Sequence, residues 1–186
     1  MKDNLAAPEC VIFVGVSLGG FIARPNGELD WLTGEGGGDS AEYGYNEFIA
    51  GIDAIVMGRR TFEKALTFDT WYYGNKRVVV LSNHFLDLSV AQARGGVVEL
   101  MAGSPAEIVS KLAGSGAKRL YVDGGITIQQ FLRSRLIHRL IISRLPVLIG
   151  EGIPLFGSLP RDIRLSHIAT RTYPGGMVQS EYHIVA

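Results

Sequence analysis

Short apolar runs alternate with segments of helical character along most of this chain, and this rhythm constrains its fold more than any other feature. The runs that predict strands are 10–16, 54–57, 77–81, 97–100, 119–122 and 137–145. The segments that predict helices are 41–51, 58–66 and 126–135. Strands separated by helices are joined by right-handed crossovers and pair in parallel. The sequence therefore predicts an α/β fold with a mostly parallel sheet and helices on both faces.

Two local signals extend this prediction. Ser104-Pro105-Ala106-Glu107 combines an N-cap serine, a proline at the first helical position and a glutamate three residues after the cap, which indicates a further helix start. Near the C-terminus, residues 164–173 and 177–185 flank Pro174-Gly175-Gly176, which is typical of a β-hairpin. We therefore expect three layers, with an antiparallel hairpin at the C-terminal end of the chain. No linker or repeat is evident, so residues 1–186 are expected to form a single domain.

The composition argues against several classes of partner. The chain has 18 Lys+Arg and 18 Asp+Glu in 186 residues, so no basic excess is present to neutralise the phosphates of a nucleic acid. No apolar segment approaches the ~20 residues of a membrane span, and we expect a cytoplasmic protein with no membrane partner. The single cysteine, Cys10, lies in an apolar run and is interpreted as a buried hydrophobe. The four histidines are isolated in the sequence, so no metal site is expected.

Three turns that follow predicted strands are candidate ligand sites, because ligands of open α/β sheets bind at the carboxyl ends of the strands. The first turn is Gly58-Arg59-Arg60-Thr61, where a glycine precedes a helix that begins with two arginines. Backbone N–H groups at a helix N-terminus, with guanidinium groups beside them, suit a phosphate. A glycine turn followed by a solvated helix face is the alternative interpretation.

The other two turns allow a similar interpretation. In Leu81-Ser82-Asn83 a strand ends in small polar residues, and the lack of an acid that would repel a 2′-phosphate permits NADP. Ser-Asn is also ordinary turn chemistry. In Gly124-Gly125-Ile126-Thr127 a glycine pair precedes a helix and allows backbone amides to approach a pyrophosphate. Such a pair is equally explained by a turn that needs a positive φ.

Together with Val16-Ser17-Leu18-Gly19-Gly20-Phe21-Ile22-Ala23, these turns resemble the dihydrofolate-reductase-like superfamily. More specifically, the chain resembles the reductase domain of riboflavin biosynthesis (the RibD C-terminal domain) in its stand-alone form. The motifs D-x-x-x-MGRRT, V-x-LSN, Y-V-D-G-G followed by Q-x-L, and PVLIG-x-G-x-PLF occur in family order. The resemblance implies the dihydrofolate-reductase-like fold, an NADPH cofactor and reductase activity. The substrate side departs from the family, because Gly19 replaces its usual Asp and Phe21 stands where a basic residue is often found.

The resemblance also implies roles for individual residues. The cofactor-binding residues would be Gly15 and Ile22 at the nicotinamide, Gly58, Arg59, Arg60 and Thr61 at the phosphates, Leu81, Ser82 and Asn83 near the 2′-phosphate, and Gly124, Gly125, Ile126 and Thr127 at the pyrophosphate. The candidate substrate-binding residues are Ser17, Asp30 and Trp31. Glu42 is a candidate catalytic acid, because dihydrofolate reductases carry an acid sixteen residues before the glycine that corresponds to Gly58. It is alternatively a first-turn acid that the helix dipole favours.

We therefore expect a reductase that transfers hydride from NADPH to a small-molecule substrate. This substrate would be a ribosylaminopyrimidine of the 5-amino-6-(5-phosphoribosylamino)uracil type or a related nitrogen heterocycle. The alternatives are a dihydrofolate reductase and, in another class, a nucleotide-binding protein without catalysis. We also expect a homodimer, as in the riboflavin reductases that the chain resembles. The apolar residues of segment 145–156 would cover the chain's own sheet or meet a second copy, together with strand 137–145.

Overall fold

The computed structural model describes residues 7–32 and 43–185 of the chain. Strands and helices alternate through most of it, as the apolar pattern predicts. The elements are β1 (Glu9–Val16), β2 (Phe21–Ala23), α1 (Tyr45–Ala50), β3 (Ala54–Gly58), α2 (Arg59–Leu66), β4 (Arg77–Leu81), α3 (Ser89–Ala93), β5 (Val97–Met101), α4 (Pro105–Gly114), β6 (Arg119–Asp123), α5 (Gly125–Arg133), β7 (Arg139–Arg144), β8 (Ile153–Pro154), β9 (Leu165–Thr172) and β10 (Val178–Ile184).

The main sheet has the strand order β5-β4-β3-β6-β1-β7-β10-β9. The strands from β5 to β7 are parallel to one another. The last two strands form the antiparallel edge, in which β10 pairs with both β7 and β9. A short antiparallel pair, β2 with β8, joins the segment after β1 to the segment after β7. The predicted fold class, a mostly parallel sheet between helices with a C-terminal hairpin, is confirmed.

Helices cover both faces of the parallel strands, which explains why these strands are apolar on both sides. One face packs against α4 and α5 through residues such as Ile12, Val56 and Leu120. The opposite face packs against α1, α2 and α3, where Ile55 and Tyr121 belong to a second buried cluster. The carboxyl ends of the parallel strands therefore lie along one edge between two helical layers, which is where the candidate turns are located.

The boundaries differ from the sequence prediction mainly at short elements. The helix predicted over 41–51 runs from Tyr45 to Ala50 in the described chain, and Glu42 lies outside the described residues. The sequence pattern did not predict α3, β2 or β8, because they are too short to show a period. The capping box of α4 is confirmed, with Ser104 and Glu107 exchanging side-chain-to-backbone hydrogen bonds.

The sequence analysis raised the burial of two apolar regions, Cys10 and segment 145–156, and the structure shows how far each is buried. Cys10 is fully buried, as expected, and burial together with the nearby charge of Glu9 raises the pKa of its thiol to about 12. In segment 145–156, Leu145 and Leu155 are buried within the chain, whereas Leu148 and Phe156 remain exposed. Part of this segment therefore covers the chain's own sheet. No helix within residues 7–32 and 43–185 has the length and apolar character needed to cross a membrane.

Candidate functional site

The strand order places the first and third predicted turns side by side. Strands β3 and β6 are paired, with Met57 opposite Asp123, so α2 and α5 begin next to each other. A Cβ built on Gly58 would lie 2.9 Å from Thr127 Oγ1. A Cβ built on Gly124 would overlap Thr61 Oγ1. Each glycine thus faces the threonine of the other turn, and the two turns form one continuous surface.

Two adjacent helix N-termini make this surface favourable for an anion. The N-cap residues of α2 and α5 are glycines, so no side-chain cap competes for the first N–H groups. The Arg59 guanidinium forms an ion pair with Glu63 at 2.6 Å. Arg60 is exposed and forms no ion pair within the described part of the chain. Helix dipoles, free N–H groups and a guanidinium at one place can together hold a phosphate.

The second predicted turn continues the same edge. Leu81 pairs with Gly58, so Ser82 and Asn83 follow directly beside the start of α2. The Ser82 hydroxyl donates to the carbonyl of His84 at 2.9 Å, which tightens the turn. The next acid along the chain is Asp87, and its carboxylate accepts from the backbone N–H of Ser89, which lowers its pKa. Residues 82–86 of this turn therefore include small polar groups and no acid.

The predicted nicotinamide contacts lie on the other side of the paired turns. Ile22 packs against the third turn, because a Cβ on Gly125 would lie 2.7 Å from Ile22 Cδ1. Gly15 lies near the carboxyl end of β1, and a Cβ there would lie 2.7 Å from Leu32 Cδ1. Leu32 therefore covers Gly15 in this conformation. Ile126 is 56% exposed at the start of α5, so its side chain faces outward next to the glycine pair.

The three predicted substrate-binding residues lie between β1 and α1. Ser17 is fully buried, and its hydroxyl accepts from the backbone N–H of Phe21 at 3.2 Å. Asp30 forms a two-point ion pair with Arg24, at 2.6 and 2.7 Å. Trp31 is buried against Leu145, and its indole N–H has no partner among the described residues. Ser17 and Asp30 are thus hydrogen-bonded locally, whereas the Trp31 indole is an unused donor among the described residues, and the substrate contacts of all three stay predictions.

Comparison with known proteins identifies the family. The profile of the RibD C-terminal domain matches residues 8–179, which include all three turns and both arginines of the α2 N-terminus. The chain belongs to the RibD C-terminal domain family. It is 30% identical over 178 residues to the uncharacterized protein YwjB of Bacillus subtilis (strain 168), which covers 94% of this chain and 97% of YwjB.

Solved structures agree with this membership. A "Putative riboflavin biosynthesis protein" from Shewanella sp. PV-4 superimposes with a TM-score of 0.85 at 34% identity, covering 96% of this chain and 99% of that one. The deaminase/5-amino-6-(5-phosphoribosylamino)uracil reductase of Thermotoga maritima has a TM-score of 0.75 at 14% identity, over 96% of this chain and 57% of that one. Dihydrofolate reductase of Enterococcus faecalis, complexed with NADP(H), has a TM-score of 0.67 at 15% identity, over 96% and 97%. The last two similarities concern the fold.

Asp123 lies at the carboxyl edge of the sheet and was not among the site residues predicted from the sequence. Its carboxyl group lies at the carboxyl end of β6, directly before Gly124, and accepts from the Gly124 backbone N–H at 2.8 Å and the Tyr73 hydroxyl at 3.0 Å. Burial raises the pKa of this carboxyl above its usual range, although the hydrogen bonds from Tyr73 and Gly124 oppose the shift. The available signal was an acid immediately after the apolar run 120–122. Its meaning depends on Tyr73, which is 50 residues away in the sequence.

Proposed function

We propose that this chain is an NADPH-dependent reductase that transfers hydride to a small nitrogen-containing substrate. The observation that carries the proposal is the meeting of two helix N-termini without side-chain caps at the glycine turns of β3 and β6. A pyrophosphate is the group that such an arrangement binds best, because N–H donors and helix dipoles favour its charge. Membership in the RibD C-terminal domain family supports the same assignment.

The residues along the carboxyl edge of the sheet favour one orientation of a bound dinucleotide. The 2′-phosphate end would lie at Ser82 and the α2 arginines, the pyrophosphate at Gly58 and Gly124, and the nicotinamide beside Ile22. From β4 to β1 the edge spans three strand spacings of ~4.8 Å, about 14 Å, which suits an extended dinucleotide. The reduced nicotinamide supplies the hydride, and the chain orients the ring and limits access of water.

Asp123 is the proposed proton donor. Reduction of a C=N bond needs a hydride at carbon and a proton at nitrogen, and a partly buried carboxyl with a raised pKa can supply that proton as its own O–H bond breaks. The carboxylate that remains keeps two donors, the Tyr73 hydroxyl and the Gly124 N–H.

A ribosylaminopyrimidine of the 5-amino-6-(5-phosphoribosylamino)uracil type is the proposed substrate class, with related nitrogen heterocycles included. The Thermotoga maritima neighbour is named for this reduction. The test is a panel of aminopyrimidine, pterin and dihydrofolate substrates, followed by the loss of reduced nicotinamide absorbance. We expect turnover of an aminopyrimidine and strong loss of turnover in Asp123→Asn. Stoichiometric NADPH binding without oxidation on any substrate would contradict the proposal.

Cofactor preference gives a second test. NADPH should bind more tightly than NADH, and Arg59→Ala and Arg60→Ala identify the guanidinium that contacts the 2′-phosphate. Its removal should weaken NADPH binding by roughly tenfold to a hundredfold and leave NADH binding unchanged. Arg133→Ala is a matched control, because this guanidinium donates to the carbonyl of Ser158 near the other end of α5. Equal affinities of the parent protein for the two cofactors would count against the assignment.

A further inference from the structure

Four tyrosines gather around Asp123, and they come from three separate parts of the chain. Tyr45 lies on α1, Tyr121 on β6, and Tyr72 and Tyr73 in the segment before β4. Tyr73 is the one whose hydroxyl reaches the carboxyl at 3.0 Å, whereas Tyr121 donates to the carbonyl of Phe13 at 2.9 Å. Asp123 and Tyr73 are partly buried and Tyr72 is 50% exposed, so the cluster lies where the hydrophobic layer meets the surface.

The Tyr73 ring is held in place by neighbouring aromatic rings. It contacts Trp71 edge-on with centroids 5.3 Å apart, and Trp71 in turn contacts Phe62 of α2 at 6.0 Å. The Tyr72 ring also contacts Tyr73 edge-on, with centroids 5.8 Å apart. Burial and the neighbouring Asp123 charge raise the pKa of Tyr73 well above its usual range, so its hydroxyl keeps its proton. The hydroxyl is therefore a fixed donor.

Another hydroxyl of the tyrosine cluster, that of Tyr45, forms no hydrogen bond within the described part of the chain. Tyr45 is 9% exposed, and its hydroxyl has no hydrogen-bond partner among the described residues. Its ring contacts Tyr72 at 5.4 Å and Phe13 at 5.6 Å. A buried hydroxyl without a partner costs free energy unless a bound molecule satisfies it. The Tyr45 hydroxyl can therefore be satisfied by a bound molecule or by a water.

On the basis of the proposed function, we propose that Tyr73 is the positioning residue for Asp123. The Gly124 N–H holds Oδ1 and the Tyr73 hydroxyl holds Oδ2, so the carboxyl plane is fixed from both sides. Because the Tyr73 hydroxyl keeps its proton, it donates to the carboxyl group in either protonation state, and the acidic proton occupies a lone pair that Tyr73 does not use. When Asp123 transfers its proton to the substrate nitrogen, the Tyr73 hydroxyl stabilises the carboxylate that remains. The acid then regains its proton from solvent.

The direct test is Tyr73→Phe, read by the ¹³C chemical shift of the Asp123 carboxyl across a pH titration of the protein alone. Asp123→Asn assigns the signal. Loss of one donor to the carboxylate should raise the titration midpoint by about one pH unit. Tyr173→Phe is the matched control, because its hydroxyl donates to the side chain of Gln179, and it should leave the midpoint unchanged. An unchanged midpoint in a folded Tyr73→Phe variant would overturn the proposal.

The second readout is the pH profile of turnover. A proton donor must be protonated, so kcat should fall as pH rises through the pKa of Asp123, and Tyr73→Phe should move this fall upward by the same amount. Its maximal kcat should drop about tenfold, with KM for NADPH unchanged, because an acid held loosely transfers its proton less well. A lower kcat with an unmoved pH profile would show a merely structural role and overturn the proposal.

The two readouts separate this inference from the proposed function. The carboxyl titration needs neither cofactor nor substrate, so it decides the Tyr73 contact even if the substrate panel shows no reductase activity. If Tyr73→Phe does not fold, the substitute measurement uses a Tyr121→Phe variant in which the remaining tyrosines are replaced by 3-fluorotyrosine. The Tyr121→Phe change removes the tyrosine hydroxyl on β6 that interacts with Asp123. The phenols of 3-fluorotyrosine are more acidic, so the label should lower the titration midpoint of the Asp123 carboxyl relative to the unlabelled variant. An unchanged midpoint would contradict the contact between Tyr73 and Asp123.

Discussion

At the scale of single residues, Asp123 links the proposed chemistry to stability. Its pKa in the folded chain is raised, chiefly by burial, above the usual value of about 3.9 for an aspartate. Between these two pKa values the folded chain keeps a proton that the unfolded chain has released. Stability must therefore fall as pH rises through this interval, because the unfolded state binds fewer protons.

Asp123→Asn removes this dependence and gives the first prediction. Relative to the variant, the parent chain should lose free energy of unfolding as pH rises above about 4, and the difference should level off above the raised pKa. Urea unfolding of both proteins at a series of pH values measures this difference. A difference that stays constant, or one that grows in favour of the parent chain with rising pH, would contradict a buried acid with a raised pKa.

Gly124 gives the second residue-scale prediction. Its φ is +88°, and a Cβ would overlap Thr61, so Gly124→Ala should be destabilising and should disturb the paired turns. Gly116→Ala is the matched control, because Gly116 has a φ of +89° but no atom within 4 Å of a built Cβ. Each substitution should cost at least about 1 kcal/mol through its backbone conformation. We expect only Gly124→Ala to weaken NADPH binding, as followed by cofactor fluorescence.

Equal NADPH affinity in Gly124→Ala and Gly116→Ala would show that the glycine pair serves only the turn. Gly125 is less suitable for this test. Its φ is not positive, so the argument from a left-handed conformation belongs to Gly124 alone. A Cβ on Gly125 would meet the flexible end of Ile22, which can move aside.

At the scale of elements, α4 offers the clearest local test. Ser104→Ala removes the side chain that caps the helix and should cost about 1 kcal/mol of unfolding free energy. Glu107→Gln should cost less, because an amide oxygen can replace the carboxylate in the capping box. Ser110→Ala, an exposed position in the same helix, should be neutral or slightly stabilising. Equal effects of Ser104→Ala and Ser110→Ala in thermal unfolding would contradict the role of the cap.

The elements that could be predicted from sequence are those with strong local signals. Strands such as 77–81 are continuous apolar runs between polar turns, and the α4 start has a capping box that works without tertiary contacts. The five-residue α3 has neither a cap nor a long enough period. The three candidate turns were likewise visible, because each follows an apolar strand.

The rest of the site depends on contacts between distant residues. No local pattern could show that Thr61 faces Gly124, or that Tyr73 donates to Asp123. The pairing of Asp30 with Arg24, six residues apart, likewise became visible only in the structure, and a substrate contact of Asp30 stays a prediction. Sequence therefore predicted the groups that follow the strands, and the strand order decided which of them meet.

At the scale of the whole molecule, the homodimer stays a prediction. The apolar surface available for it is smaller than the sequence indicated. Strand β7 lies inside the sheet between β1 and β10, so it has little surface to offer a partner. In segment 145–156, Leu148 is 73% exposed and Phe156 45% exposed, and these two side chains are the remaining apolar candidates. Light scattering should report twice the 20.2 kDa chain mass at micromolar concentration, and Leu148→Asp should lower it. A single-chain mass in the parent protein would contradict the dimer.

The central claim is hydride transfer from NADPH at the carboxyl edge of β4, β3, β6 and β1. The most direct measurement incubates the protein with NADPH deuterated at the transferable position of the nicotinamide and a ribosylaminopyrimidine phosphate, and then analyses the product by mass spectrometry. We predict one deuterium bound to carbon in the reduced product, with oxidised cofactor formed in equal amount and the reaction strongly slowed in Asp123→Asn. Bound NADPH that stays reduced, with no deuterium in any substrate of the panel, would contradict the account.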